Sequence, residues 1–251
     1  MSSATTLPLP DFLCEAYQRG SILRENGASY PIHSNVSQDE VTQIYNVVKF
    51  LKPTNTLEIG FCLGFSGIAI LQELHDTNGG KHYAIDPAQS ALAGGLGLEN
   101  VQRAGHSARL VFFEDYPEEV WTQIPRVQFA FIDASHQFDF TMLDFALTDK
   151  RLDVGGVIGF HDTWMGSLQK VIRFILKNRD YSIFVAGESP PAPANTGLSG
   201  AIKGALRRLP RSSRLFSEEI LTPWTSLCAS NMIFLKKENE DTRDWRHFIQ
   251  F

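Results

Sequence analysis

Residues Thr56–Gly67 read TLEIGFCLGFSG. The apolar run Leu57–Ile59 ends at Gly60, a second glycine follows at Gly64, and an apolar pattern at helical spacing begins at Gly67. The order is strand, tight glycine turn, helix. Glycines in such a turn adopt backbone angles that other residues resist, and without a Cβ they let a ligand come close to the main chain. By itself the stretch indicates a nucleotide-type site on a parallel sheet.

Further strands follow at regular intervals. His82–Asp86 (HYAID) ends in an acid, Arg109–Phe113 (RLVFF) runs into Glu114-Asp115, and Val127–Asp133 (VQFAFID) closes on another acid. Val154–Phe160, with Gly155-Gly156 near its start, leads into His161-Asp162; Tyr181–Val185 and Asn231–Leu235 complete the set. Between them lie helical patterns. Ser37 and Glu40 have the form of a capping box ahead of Val41, Ile44, Val47, Val48 and Leu51. Ser34–Ser37 reads as part of that cap rather than as a cofactor contact. Ile68, Ala69, Leu71 and Leu74 predict a helix closing at Asn78-Gly79-Gly80. Leu98–Arg103 is helical or irregular, Phe138–Asp149 carries a face of Phe140, Leu143, Phe145 and Leu147, and Leu168–Lys177 continues as helix. Strict alternation of apolar strands with helices predicts an α/β domain whose parallel sheet is covered on both faces. Ligands of such sheets bind beyond the carboxyl ends of the strands, where these acids and histidines fall.

With 251 residues, 43% of them hydrophobic, the chain fits one domain with appendages. The expected divisions are an N-terminal helical cap over 1–52, a core over 53–187 and 224–237, a Pro/Gly- and Arg-rich insertion over 188–223, and a charged tail over 238–251. In the first of these, Asp11–Arg19 is expected to be a short helix. The insertion contains Lys203, Arg207, Arg208, Arg211 and Arg214, and reads as a solvated loop or as a lid or anion-facing surface. The tail ends in WRHFIQF, whose aromatics dock either on the domain or on a second subunit, which is the ground for expecting a homo-oligomer. No apolar run reaches the ~20 residues of a membrane span, and MSSATTLPLPDF lacks the features of a signal peptide, so a cytoplasmic location is expected. Cys14, Cys62 and Cys228 are widely spaced without a CxxC pair, which argues against a disulfide framework and a structural zinc site. A formal net charge of −5 offers no general attraction to nucleic acid, and no nucleic-acid partner is expected.

The region Thr56–Val185 resembles the class I S-adenosylmethionine-dependent methyltransferases. Glu58-Ile-Gly60-Phe-Cys-Leu-Gly64-Phe-Ser66 is similar to the ExGxxxGxS signature of the catechol-type and related small-molecule O-methyltransferases, and FIDASHQF and GGVIGFHDT resemble later stretches of that group. The resemblance implies a Rossmann-like, doubly wound, mostly parallel sheet of seven strands with an antiparallel last strand. It further implies that Glu58 and Gly60 lie by the methionine end of S-adenosylmethionine with Gly64 and Ser66 nearby, that Asp86 takes the ribose hydroxyls, and that Glu114 or Asp115, the latter preferred, sits near the adenine. A carboxylate can accept from two vicinal hydroxyls at once. A nicotinamide-dependent oxidoreductase is the rival reading, but Gly60-x-x-x-Gly64-x-x-Gly67 is not GxGxxG. A non-catalytic binding protein that kept the fold is the other.

The same resemblance makes the fourth and fifth strands neighbours, so that Asp133 and Asp162 can share one divalent cation, magnesium or another metal. The catechol-type Asp-Asn pair aligns with Asp162-Thr163, a poorer pair of ligands, and His161-Asp162 is the alternative. Histidine favours zinc or transition metals over magnesium. The expected metal ligands are therefore Asp133, His161 and Asp162. Without a metal, His136 or His161 is the candidate general base, beside Asp133. Trp164 and Met165 line an acceptor pocket or the core, and His33 and His106 are surface or packing residues. The expected activity is methyl transfer to a hydroxyl of a small molecule.

Overall fold

The computed structural model describes residues 9–32, 35–77, 79–186, 224, 228 and 230–251. Helix α1 (Asp11–Arg19) is followed by a two-stranded antiparallel hairpin, β1 (Ser21–Leu23) and β2 (Ser29–Pro31). Both helices expected in the N-terminal cap are present, and the hairpin between them is an addition to that expectation. The two strands have three residues each, too few to show a period of two, and Gly20 and Gly27 turn the chain with φ of 69° and 81°. Helix α2 (Gln38–Leu51) starts from the predicted capping box: Glu40 N–H donates to Ser37 Oγ at 3.3 Å, and Ser37 N–H donates to Glu40 Oε2 at 2.6 Å. His33, Ser34 and the insertion over 188–223 lie outside the described residues.

The core then alternates as predicted. β3 (Asn55–Ile59), α3 (Phe65–Asp76), β4 (Lys81–Ile85), α4 (Gln89–Ala93), α5 (Leu96–Arg103), β5 (Leu110–Phe113), α6 (Pro117–Val120), β6 (Val127–Ile132), α7 (Phe138–Asp149), β7 (Leu152–Phe160), α8 (Gly166–Asn178), β8 (Tyr181–Ile183) and β9 (Ile233–Lys237) follow in order. The seven-stranded sheet has the order β5-β4-β3-β6-β7-β9-β8, with β9 antiparallel to both of its neighbours and the other pairs parallel. The final strand runs two residues further than its apolar stretch suggested. Lys237 is fully buried there because its ammonium donates to the carbonyls of Asp149 and Leu152 and pairs with Glu240.

Two apolar layers cover the sheet. On one face Val41, Ile44 and Val48 of α2 and Ile68 and Leu71 of α3 pack with Phe129, Phe131 and Phe234; on the other, Val171, Ile172 and Ile175 of α8 pack with Ile158, Phe160 and Phe145. The buried face of α7 differs from the one its apolar residues suggested. Thr141, Asp144, Phe145, Thr148 and Asp149 turn inward, while Phe140 and Leu143 are exposed. Two of the inward polar groups are paired: Thr141 Oγ1 donates to the carbonyls of Ser135 and Gln137, and Asp149 accepts from Tyr181 and Arg179.

The C-terminal tail lies on α8. The Ile249 N–H donates to Asn178 Oδ1 at 2.7 Å, Asn178 Nδ2 donates back to the Ile249 carbonyl at 2.8 Å, and Phe251 packs edge-on against Phe174. No helix among the described residues is long and apolar enough to cross a membrane.

Candidate active site

The sheet register brings the residues after four strands into one row. Gly60 N–H donates to the Ile85 carbonyl (2.9 Å), Asp86 N–H to Phe113 (3.0 Å), Asp133 N–H to Ile59 (2.9 Å) and His161 N–H to Ile132 (3.2 Å). Each strand is thus held level with its neighbour up to the residue that leaves it. That is how four residues far apart in sequence reach one end of the sheet.

A cleft of about 490 Å³ opens over this row. One wall is the glycine turn, Gly60 to Ser66; the opposite wall holds Asp133, His136, His161, Asp162 and Asn231; Asn35, Val36 and Glu40 close a third side. The turn needs its glycines. Gly60 has φ of 90°, and a Cβ there would lie 2.1 Å from the Asp133 carbonyl oxygen. Gly64, at φ 78°, opens α3 without a side-chain cap, so the first amides of that helix remain available to an anionic group in the cleft.

The expected cofactor residues divide into those that line the cleft and those that stand behind it. Gly60, Gly64 and Ser66 line it. Glu58 is fully buried beneath the turn, where one oxygen accepts from the Ser66 hydroxyl and the other lies 3.0 Å from His82 Nε2. His82 Nδ1 is in turn 2.8 Å from Thr56 Oγ1. Burial pushes the Glu58 carboxyl above the usual carboxylate range, against the pull of His82 and Ser66. Asp86 braces the turn from outside: Oδ2 accepts from the N–H of Phe61 (3.0 Å) and of Cys62 (2.8 Å), and Oδ1 from that of Ala88 (2.9 Å). Asp115 is exposed at the end of β5 and accepts from the N–H of Tyr116, whereas Glu114 accepts from Ser90.

On the opposite wall Asp133, His136 and Asp162 offer ligand atoms that all lie within 4.8 Å of one another. His136 Nε2 is 3.1 Å from Asp162 Oδ2 and 3.6 Å from Asp133 Oδ1, yet it is buried and, among the described residues, has no aligned hydrogen-bond acceptor. A shared cation would suit a nitrogen so placed. Two carboxylates and one imidazole fit a first-row divalent ion such as Mn²⁺ or Zn²⁺ better than Mg²⁺, which prefers oxygen throughout. Asp162 is held in the left-handed region, φ 52°, a conformation that Asp and Asn tolerate. Its Oδ1 accepts from Trp164 Nε1 (3.0 Å) and Asn231 Nδ2 (3.1 Å). The Thr163 hydroxyl points away and donates to the Ser230 carbonyl at 2.8 Å.

His161, expected as a ligand, stands just behind this trio. Its Nδ1 lies 3.2 Å from Asp133 Oδ1, and its Nε2 lies 3.3 Å from Glu40 Oε1. Burial opposes a charge on His161, but the hydrogen bonds with Asp133 and Glu40 outweigh it and raise its pKa to about 10. Burial likewise opposes the charge on Glu40, and the His161 and Ser37 hydrogen bonds prevail, bringing it to about 2. Asp133 is held below its usual range in the same way, by His136 and His161, while the Asp133 carboxylate raises His136. An imidazole so strongly cationic makes a fixed charge rather than a base. Without a cation in the cluster, His136, exposed by about a third, is the better placed proton acceptor.

Sequence reasoning missed Glu40 and Asn231 as members of the site. Glu40 carried a signal, the capping box, but that box uses only one of its two oxygens. Asn231 stands just before an apolar strand and had none.

Comparison with known proteins agrees with the architecture. Residues 57–163 match the sequence model of a methyltransferase domain family. The core has a class I methyltransferase fold. Its inserted antiparallel strand also departs from the 3-2-1-4-5-6 order of dinucleotide-binding oxidoreductases. The core is similar to the tapetum-specific methyltransferase 1 of Arabidopsis thaliana, 29% identical over 65% of this chain and 69% of that one. It is also similar to caffeoyl-CoA O-methyltransferase 2 of Petunia hybrida, 30% identical over 58% of this chain and 62% of that one. The chain thus matches about two thirds of the length of these relatives. Among solved structures, the O-methyltransferase from Bacillus cereus in complex with SAH superposes with a TM-score of 0.58 at 19% identity, covering 72% of this chain and 85% of that one. The SAH-bound methyltransferase of Podospora anserina gives 0.54 at 17% identity, with the same two coverages.

Proposed function

We propose that the protein is an S-adenosylmethionine-dependent O-methyltransferase that acts on a hydroxyl of a small molecule with the help of a divalent metal. The observation that carries this reading is the pairing, across one cleft, of the Gly60–Gly64 turn with the Asp133, His136 and Asp162 cluster. The names of its relatives support the same chemistry.

In this reading the methionine end of the cofactor lies along the turn, near the uncapped start of α3 and the Ser66 hydroxyl. Asp86 keeps the turn in shape through its two amides and offers its remaining lone pairs to the ribose. Asp115 is the proposed adenine neighbour. Asp133, His136 and Asp162 would hold the metal, which when bound supplies positive charge that lowers the pKa of an acceptor hydroxyl. With a metal bound, His136 would serve as a ligand and the acidified hydroxyl would release its proton to solvent; without one, His136 would take that proton. In either case the cleft aligns the resulting oxygen with the methyl donor, which is where proximity lowers the barrier. Trp164, two-thirds exposed and tethered to Asp162, gives an aromatic surface beside that oxygen.

Calorimetry with S-adenosylmethionine and S-adenosylhomocysteine tests the reading directly. Both should bind the wild-type protein; binding of neither would remove it. Turnover that persists after EDTA treatment would remove the metal and leave the rest standing.

A further inference from the structure

The cleft has a neighbour. A second cavity, of about 420 Å³, lies between α2 and the β8–β9 edge of the sheet. Both of its walls are extensions of walls already described. On α2, Glu40 lines the first cavity while Gln43 and Val47, three and seven residues later on the same helical face, line the second. Along the strand leading into β9, Asn231 lines the first while Ser230 and Met232, one residue to either side, line the second.

The character changes along this path. The first cavity is walled by carboxylates and imidazoles. The second has Val47, Phe184, Ala186, Met232 and Phe234 for its body, all members of one apolar cluster, with Gln43 and Asn46 exposed at its rim. From Glu40 to Val47 the helix rises seven residues, roughly 10 Å at 1.5 Å per residue.

We propose that this groove receives the apolar body of the methyl acceptor. The substrate is then an amphipathic molecule that presents its hydroxyl at Asp133 and Asp162 and extends an aryl or alkyl portion about 10 Å along α2. The assignment rests on the methyltransferase reading of the first cavity. It commits to the acceptor rather than to a second copy of the chain because the groove adjoins the polar cleft along both walls, Glu40 next to Gln43 on α2 and Asn231 next to Ser230 and Met232.

The test is a binding series that needs no turnover. Protein saturated with S-adenosylhomocysteine and Mn²⁺ is titrated with catechol, 4-ethylcatechol, 4-butylcatechol and 4-hexylcatechol. The dissociation constant should fall roughly fourfold for each added methylene as apolar surface leaves water. Gln43→Trp and Asn46→Trp change exposed rim positions and leave the core intact, so they should fold normally, keep wild-type affinity for S-adenosylhomocysteine and catechol, and lose the gain with chain length. A flat series in the wild type, or a gain that survives in both variants, overturns the proposal. So does a wild-type dimer that Asn46→Trp dissociates, because it gives the groove to a second copy. Failure of S-adenosylhomocysteine to bind is a separate result, and removes the methyltransferase reading beneath the proposal.

Discussion

His161 Nε2 lies 3.3 Å from Glu40 Oε1, which ties the end of β7 to the first turn of α2. The contact makes the N-terminal helix a member of the site. In metal-free protein, Glu40→Gln should remove one of the two carboxylates that keep His161 charged, and its pKa should fall from about 10. The folded pKa exceeds the unfolded one, so this group adds stability below about pH 6.5 that is lost as pH rises toward 10. Imidazole titration by NMR and urea melts across that range should show both effects weakened in the variant.

Asp144 makes a second pH prediction on the other face of the sheet. It is 5% exposed on α7, and burial, with help from Glu118, raises its pKa to about 7. Its folded state holds a proton that the unfolded state releases near pH 4. Stability should therefore fall as pH rises from about 4 to 7, by an amount on the order of 4 kcal/mol. Asp144→Asn should flatten that decline in denaturant melts, and an unchanged slope would count against it.

Two glycines with the same backbone angle should respond differently to alanine. Gly155 has φ of 85° and nothing within 4 Å of an added Cβ, so Gly155→Ala should cost only the conformational strain, about 1 kcal/mol. Gly60 has φ of 90° and an added Cβ would meet the Asp133 carbonyl at 2.1 Å. Gly60→Ala should cost more than about 2 kcal/mol and abolish binding of S-adenosylhomocysteine. Chemical denaturation and calorimetry measure the two quantities.

Glu58 should behave as a support rather than a contact. Its carboxyl holds Ser66 and His82 in full burial, and Glu58→Ala would leave both without their acceptor, at a cost of about 3 kcal/mol. Glu58→Gln keeps the shape and should recover much of that loss. If both variants remain as stable as the wild type, the buried network has no structural role.

For the metal, Asp133→Asn, His136→Ala and Asp162→Asn should each weaken Mn²⁺ binding at least tenfold by electron paramagnetic resonance. Asp162→Asn is a clean change because asparagine also accepts the left-handed backbone. Thr163→Ala should leave the affinity as it is, since its hydroxyl faces the Ser230 carbonyl.

The parallel core was legible because each of its strands is a short apolar run that ends in glycine, acid or histidine, and because the helices between them carry clear periodicity. Asp133 and Asp162 were legible for the same reason: a strand end names its own edge of the sheet. The hairpin after α1 was not, since three-residue strands have no pattern to read. Nor was the inward face of α7, where Thr141 is satisfied by the nearby carbonyls of Ser135 and Gln137 and Asp149 by Tyr181 and Arg179 about 30 residues on, while Phe140 and Leu143 stay outside. His136 and His161 exchange places relative to the cation cluster because each strand end fixes a backbone position, whereas the direction of an imidazole depends on which carboxylates surround it. One of those, Glu40, arrives from 121 residues earlier, the difference between positions 161 and 40.

The strand order bears on how the chain comes together in time. Among the described strands β9 is made last but sits between β7 and β8, and β8 pairs with β9 alone. Until residue 237 has been synthesised, β7 and β8 lack, among the described strands, the partner that joins them. The same closing segment delivers Asn231 to Asp162. During synthesis, therefore, the donor-side turn can form early, whereas the acceptor side is completed only when the final strand slots into the sheet.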